Sequence, residues 1–184
     1  MVTAAPGEDR SLALALVNTR RQSADDLGSP GDAAAWLRSR GVGAAVADPA
    51  ALGRLTDLRA AVRELLGALA EDREPSAAAV ETINAAARAD AAAPALVWRT
   101  GPAREWHSTR PGSIDAAVAA LARDAIEVAS GELGRLVRPC EAHGCVRYYF
   151  REHARRRWCS TTCGDRVRAA RHQRLVVEQR DGTR

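Results

Sequence analysis

The sequence Cys140-Glu-Ala-His-Gly-Cys145 is followed, after thirteen residues, by Cys159-Ser-Thr-Thr-Cys163 and then by an arginine-rich run that ends at Arg174. These two short motifs contain all four cysteines of the chain. Structural zinc is bound by four tetrahedral ligands, commonly thiolates that the chain supplies in closely spaced pairs. The spacing therefore predicts a structural zinc site. Its predicted ligands are Cys140, Cys145, Cys159 and Cys163.

The composition of this site argues against catalysis. His143 lies between the first two cysteines and is an additional candidate ligand, but four thiolates already complete the coordination shell. A closed shell leaves no position for a bound water. No nucleophile–base arrangement and no glycine-rich phosphate loop stands out elsewhere in the sequence. We therefore expect no enzyme activity.

The charge of the chain is unevenly distributed. Residues 1–134 contain 14 arginines and 18 acidic residues, a net charge of −4, whereas residues 135–184 contain 13 and 5, a net charge of +8. A dianionic zinc–tetrathiolate centre would lower the second value to about +6. The remaining excess predicts an anionic partner, namely nucleic acid, for the C-terminal segment.

Arginine is suited to such a partner because its guanidinium group binds phosphate oxygens in pairs and can read guanine edges. The candidate DNA contacts are Arg155, Arg156, Arg157, Arg166, Arg168, Arg171 and Arg174. The alternative interpretation is a solvated helix whose arginines only offset the charge of the zinc centre.

Ahead of the cysteines the sequence predicts a mainly helical domain, because it is rich in alanine and poor in aromatic residues. Residues that cap helix N-termini precede several apolar runs of helical spacing. The predicted caps are Ser11, Asp48, Ser76 and Ser113. The helix after Asp48 is expected to form the core, and a shorter helix is expected at 32–40. The helix after Ser76 is expected to face inward through Val80, Ile83 and Ala87.

Two β-prone stretches, 95–100 and 103–108, flank a Gly-Pro turn signal and predict a small β-hairpin. Trp98 and Trp106 are expected to face one another across it. Residues 1–10 have no periodic pattern and are expected to form a mobile tail. We place a helical domain at 1–137 and a separate finger at 138–184.

Within the finger the sequence predicts a metal-binding knuckle, a hairpin and a helix, in that order. The first cysteine pair forms the knuckle, the β-prone run 146–150 begins the hairpin between the two pairs, and the helix runs from Cys163 to Glu178. This order resembles a treble-clef zinc finger, in which the last two ligands lie at a helix start. The expected fold class is therefore mainly α with a small β-hairpin, ending in a treble-clef-like four-cysteine zinc finger.

The string Arg-Arg-Trp-Cys-Ser-Thr-Thr-Cys-Gly-Asp-Arg at 156–166 resembles the signature of the CGNR zinc-finger family of bacterial proteins. In that family the finger usually follows a domain called ABATE, described as a stress-induced transcription regulator. The features of this chain that are similar to ABATE are Asn18-Thr19-Arg20, Trp36-Leu37, Arg59 and Asn84-Ala85. The resemblance implies a zinc-dependent, DNA-binding bacterial transcription regulator that responds to an effector.

Asp165 departs from the family pattern, which has asparagine at this position. A carboxylate there is expected either to repel a nearby phosphate or to pair with Arg166. Repulsion would weaken contact with nucleic acid.

Asn18, Arg59 and Asn84 are polar residues on otherwise apolar predicted helices. Two interpretations are equally open: they line a small-molecule pocket, or they cap buried backbone groups. The alternative to a DNA-binding regulator is a protein-interaction or assembly module in which zinc is purely structural. Because one finger offers few base contacts, a homodimer is also a candidate, although no heptad repeat indicates one.

The N-terminus lacks a basic segment followed by an apolar run, so no secretory signal is expected. No apolar stretch approaches the roughly 18 residues that a membrane span requires. Reduced cysteines in metal-binding spacing predict a cytoplasmic location. Two disulfides in a secreted protein are the alternative.

Overall fold

The computed structural model describes residues 3–43, 46 and 48–181. In chain order the elements are α1 (Leu12–Val17), α2 (Pro30–Ser39), α3 (Pro49–Glu71), α4 (Ala77–Arg88), β1 (Ala93–Trp98), β2 (Pro102–His107), α5 (Ile114–Ser130), a 3-10 helix (Glu132–Leu136), β3 (Val137–Pro139), β4 (Tyr148–Phe150) and α6 (Thr161–Asp181). The mainly helical fold class with small β-hairpins and a C-terminal four-cysteine finger is confirmed. Among the described helices none is long and apolar enough to cross a membrane.

Helix starts follow the local signals of the sequence. Each of the four predicted cap side chains accepts a hydrogen bond from the backbone N–H three residues further on, which satisfies a donor that the helix itself leaves free. The helix predicted at 32–40 begins earlier, at Pro30, because Ser29 is its cap. In α4, Ile83 is buried as predicted, but Val80 remains 40% exposed, so the prediction that it faces inward was wrong.

The core lies where α3 and α5 pack against one another and against α1 and α4. Leucine side chains from these helices fill it and are at most 1% exposed. They include Leu14, Leu16, Leu55, Leu58, Leu66 and Leu121. Full burial of each such side chain contributes roughly 1.5–3 kcal/mol relative to leaving it in water. This core fixes the C-terminal end of α5, from which the chain enters the finger.

β1 and β2 form the predicted antiparallel hairpin, but the two tryptophans do not face one another. Trp98 lies opposite Pro102, and Trp106 lies opposite Pro94. The connection consists of the three residues 99–101 and not of the predicted Gly101-Pro102, and this difference shifts the register. Trp98 is 72% exposed, and the ring of Trp106 lies under the guanidinium group of Arg123, 5.1 Å from the ring centroid.

Residues 3–10 are not the mobile tail that the sequence suggested. They form turns that pack against the finger, where Ala5 is 2% and Glu8 is 7% exposed. The backbone N–H of Phe150 donates to the carbonyl of Pro6 at 2.9 Å. These partners lie about 140 positions away, so no local pattern in the first ten residues could reveal them.

The finger packs directly on the helical part of the chain. Val137 begins β3, is fully buried, and belongs to the main core together with Phe150 of β4. β3 packs against α3, and Arg63 of α3 donates to the carbonyl of Val146 at 2.6 Å. The chain therefore passes from the helical part into the finger within a packed strand.

Candidate metal centre and nucleic-acid interface

The four cysteine Sγ atoms converge at one point, all within 4.8 Å of one another. The Sγ atom of Cys159 lies 3.7 Å from that of Cys145 and 3.7 Å from that of Cys163. Four sulfurs placed about 2.3 Å from a tetrahedral zinc ion would be about 3.8 Å apart. The cluster therefore has the size and the donor set of a four-coordinate metal site.

Backbone hydrogen bonds position the first cysteine pair between β3 and β4. The N–H of Cys140 donates to the carbonyl of Arg147 at 2.9 Å, and the N–H of Cys145 donates to the carbonyl of Ala142 at 2.9 Å. Gly144 completes this tight turn with a φ of +72°, a value that favours glycine. The knuckle thus projects both sulfurs to the same side.

The hairpin of the finger lies elsewhere than predicted. β4 pairs with β3, which precedes the first cysteine, so the knuckle lies inside the hairpin. The segment 151–160 between the cysteine pairs contains no strand. The expectation of a hairpin between the pairs was wrong because β3 contains a proline and only three residues, a weak sequence signal for a strand.

The second cysteine pair is positioned by the start of α6. The Ser160 hydroxyl accepts from the N–H of Cys163 at 3.2 Å, and the N–H of Cys159 donates to Cys140 Sγ at 3.3 Å. Cys163 therefore lies in the first turn of α6, whose N-terminal partial positive charge stabilises a nearby thiolate. Arg166, one turn further on, directs a guanidinium nitrogen to Cys163 Sγ at 3.8 Å.

The thiols change one another's pKa values. Hydrogen bonds from Cys145 and Cys159 lower the pKa of the Cys140 thiol. The hydrogen bonds of Cys145 and Cys159 to the Cys140 thiolate raise the pKa of both thiols, because a thiol that donates to a thiolate gives up its proton less readily. A cation at the centre of the cluster is what would allow all four groups to be thiolates.

Aromatic side chains shield the cluster from water. Tyr149, 1% exposed, belongs to the small apolar group around the cysteines, and Trp158 packs against the same group. Gly164 lies close beneath Trp158: a Cβ at this position would lie 3.0 Å from Cε3 of the ring, so the ring would have to shift by a few tenths of an ångström. The guanidinium group of Arg168 lies over the ring, 5.8 Å from its centroid.

The seven candidate DNA-binding arginines fall into two groups, those that contact a side chain of the finger and those that form no ion pair with a described residue. Arg157 pairs with Glu141 at 2.5 Å, and Arg168 pairs with Asp165 at 2.5 Å. The prediction that Asp165 would pair with Arg166 was wrong, because Arg166 is directed to the thiol cluster. Four arginines are exposed and have no ion pair to a described residue. These are Arg155, Arg156, Arg171 and Arg174.

The polar residues suggested for a small-molecule pocket do not act as one group. Asn18 donates to the carbonyl of Tyr148 at 2.9 Å and accepts from its N–H at 2.9 Å, as the backbone-capping interpretation requires. Arg59 donates to Asp25 at 2.9 Å. Asn84 is half-buried on α4 and shares no hydrogen bond with the other two among the described residues.

Sequence reasoning missed the ion pair that ties residues 3–10 to the finger. Glu8 and Arg147 are 2.6 Å apart, and their side chains are 6% and 9% exposed. Arg147 also donates to the carbonyl of Thr3 at 3.1 Å. The available signal was a charged residue inside the β-prone run 146–150, where burial requires a partner.

Comparison with protein-family models gives two adjacent matches. Residues 10–132 match the ABATE model, whose description is "Putative stress-induced transcription regulator". Residues 136–174 match the CGNR zinc finger. No protein of the curated collection matches the chain.

Proposed function

Because the chain belongs to the ABATE family and ends in a CGNR zinc finger, we propose that it is a zinc-dependent, DNA-binding transcription regulator. The observation that carries this proposal is a set of exposed arginines in the finger that form no ion pair with a described residue. Arg155 and Arg156 lie in the loop before the second cysteine pair, and Arg171 and Arg174 lie on the exposed part of α6. Cations without internal partners are available to phosphates.

We propose zinc as the ion of this centre, held by Cys140, Cys145, Cys159 and Cys163. An all-thiolate tetrahedral site selects zinc over the harder divalent cations, which prefer oxygen ligands. Four protein ligands would close the coordination shell, so the proposed role is structural, without enzyme activity. The bound ion would join the knuckle to α6, and the protein's own residues would make every contact with DNA.

The mechanism proposed for this finger is positioning. β3 and the ion pair of Glu8 with Arg147 hold the knuckle on the helical part, while the knuckle and Ser160 fix the start of α6. The arginines of α6 then have one orientation relative to the body of the protein. A preorganised set of cations loses less conformational entropy when it binds a phosphate backbone.

The experiment is a mobility-shift assay of the full chain on mixed-sequence duplex DNA, with and without a zinc chelator. We expect binding in the range of roughly 10⁻⁴–10⁻⁶ M that is typical of sequence-independent contacts at physiological salt. Chelation is expected to abolish it, because the arginines of α6 would lose their common orientation. Binding that is unchanged after verified zinc removal would refute zinc dependence.

The proposed response to an effector would act through the contacts between the helical part and the finger. Asn18 at the end of α1 holds the backbone of Tyr148, so a change in α1 would reach the strand beside the knuckle. An Asn18→Ser variant should keep zinc but bind DNA more weakly. Unchanged DNA affinity in this variant would argue against such coupling.

A second candidate function, a protein-interaction module or homodimer with purely structural zinc, is favoured by the exposed apolar residues on one face of the β1–β2 hairpin. Leu96 and Trp98 on this face are 76% and 72% exposed. Arg104, which shares the face, forms an ion pair with Glu127, so the apolar surface has little uncompensated charge. Sedimentation of the full chain and of Trp98→Ser would test this: a dimer that the variant loses supports it, and a monomer in both refutes it.

A further inference from the structure

A groove of about 500 Å³ runs between α6 and the first knuckle. Its floor is formed by Val167 and Ala170 of α6. The groove is also lined by Arg171 and Arg174 from the helix and by His143 from the knuckle. It is therefore an apolar channel surrounded by groups that donate hydrogen bonds.

We propose that this channel, the α6 groove, holds one strand of the sugar–phosphate backbone of DNA. Deoxyribose presents an apolar surface that suits the floor, and phosphates suit the arginines along the sides. This inference rests on the proposed function and adds to it the path of the strand. It also divides the candidate arginines into those that would contact that strand and those that would not.

The spacing of the cations agrees with a single strand. Arg166 also lines the groove, and Arg174 follows it by eight residues, which is about 12 Å along a helix. One DNA strand carries a phosphate for every ~3.4 Å of duplex axis. The three groove arginines, Arg166, Arg171 and Arg174, thus span a length of strand that carries at most about three to four phosphates.

One carboxylate lies in the groove, that of Glu141. Unpaired, it would repel a phosphate. Arg157 holds it at 2.5 Å, so the pair is close to neutral and the groove retains its positive charge. Removing the carboxylate charge should therefore strengthen DNA binding, a change that a merely structural role of Glu141 would not produce.

The other arginines lie outside the groove. Arg168 projects from a different face of α6, where it covers Trp158 and pairs with Asp165. Arg155 and Arg156 belong to the loop before Cys159 and are not among the residues that line the groove. The double variants Arg155→Ala/Arg156→Ala and Arg171→Ala/Arg174→Ala therefore remove the same charge from the finger, the first outside the groove and the second within it.

The test is fluorescence anisotropy of the zinc-loaded full chain with a labelled mixed-sequence DNA duplex. We expect Arg171→Ala and Arg174→Ala each to weaken binding about tenfold and to reduce the slope of log K against log salt by about 0.9. The control Arg88→Ala removes one exposed arginine of α4 and should change the affinity by less than about threefold. The loop variant Arg155→Ala/Arg156→Ala should weaken binding less than Arg171→Ala/Arg174→Ala does. Glu141→Gln should increase it about threefold.

The possible outcomes distinguish a failure of the groove proposal from a failure of the proposed function on which it rests. If the wild-type chain binds DNA and Arg155→Ala/Arg156→Ala loses more affinity than Arg171→Ala/Arg174→Ala, the α6 groove is not the path of the strand. A Glu141→Gln variant that binds more weakly would overturn it as well. If the zinc-loaded wild-type chain binds no duplex at low salt, the proposed function itself fails.

Discussion

The carboxylate of Glu8 lies 2.6 Å from the guanidinium group of Arg147, and both side chains are more than nine-tenths buried. One residue belongs to the N-terminal segment, and the other follows the first cysteine pair of the finger by two positions. Asn18 donates to the same carboxylate at 2.7 Å. The N-terminal segment, α1 and the knuckle are thus joined by one buried polar network.

Glu8→Gln keeps the size of the side chain but removes its charge, which leaves the buried Arg147 cation uncompensated. Breaking one member of a buried ion pair typically costs about 3–5 kcal/mol. We therefore expect the free energy of unfolding to fall by about 3 kcal/mol, measured by denaturant titration of the zinc-loaded protein. The control is Glu132→Gln, since Glu132 pairs with Arg135 on the surface at 84% exposure and should contribute less than about 0.5 kcal/mol.

A double replacement tests whether the loss arises from an unpaired charge. Glu8→Leu/Arg147→Met removes both charges and fills similar volume, so it should be more stable than Glu8→Gln alone. A double variant that is less stable than the single one would show that the pair contributes something other than charge balance.

Gly7 approaches the finger so closely that no side chain fits. Its φ is +97°, and an added Cβ would overlap the ring of Phe150. Gly7→Ala should therefore destabilise the fold by about 2–4 kcal/mol through strain and overpacking. The matched change Gly53→Ala, in the middle of α3 with no atom within 4 Å of the new Cβ, should stabilise it by about 0.5–1 kcal/mol. Equal thermal shifts in both variants would contradict this account of the N-terminal segment.

The sequence predicted the helices well because their signals are local. Ser11, Asp48, Ser76 and Ser113 each precede an apolar run within a few residues, and each caps a helix. The position of residues 3–10 could not be predicted in this way. Glu8 is buried only because Arg147, 139 positions away, meets it in the folded chain. The hairpin register was wrong for a different reason, since the pairing of β1 with β2 depends on which residues form the turn.

The hydrogen bonds of Asp25 make the stability of the fold depend on pH in acid. Hydrogen bonds from Arg59 hold the pKa of this carboxyl at about 2, below its ordinary value of 3.8. Because the folded-state pKa is depressed, the stabilisation is fully present above about pH 4 and is lost as the pH falls towards 2. Asp25→Asn should thus be less stable than the wild type at pH 7, and the difference should shrink between pH 4 and pH 2. A difference independent of pH in denaturant titrations would exclude this role.

Asp165 occupies the family's asparagine position and holds Arg168 at 2.5 Å, with both side chains more than 60% exposed. Asp165→Asn should release this arginine and add one positive charge near α6. We expect DNA affinity to rise about threefold, with a change in stability below about 0.5 kcal/mol. Glu81→Gln, the same charge change on α4, should leave the affinity unaltered in the same anisotropy assay. An equal effect of both variants would mean that only net charge matters.

The convergence of the four cysteines could be predicted from the sequence, whereas the partners of the arginines could not. Two cysteine pairs in short loops can reach one point in few ways, so their clustering follows from spacing. The separation of the arginines depends on their partners. Asp165 neutralises Arg168 one helical turn away, and Glu141 neutralises Arg157, which is distant in sequence. Only the folded chain therefore reveals which arginines remain available.

We propose that zinc orders the finger and thereby creates the DNA-binding surface. The most direct test of this proposal is to titrate zinc into the metal-free full chain in the presence of a labelled duplex, and to record zinc binding, circular dichroism and DNA anisotropy together. We expect one zinc per chain to restore helix content and DNA binding with the same midpoint, and we expect Cys163→Ser to abolish both. DNA binding that is complete before any zinc is added would contradict it.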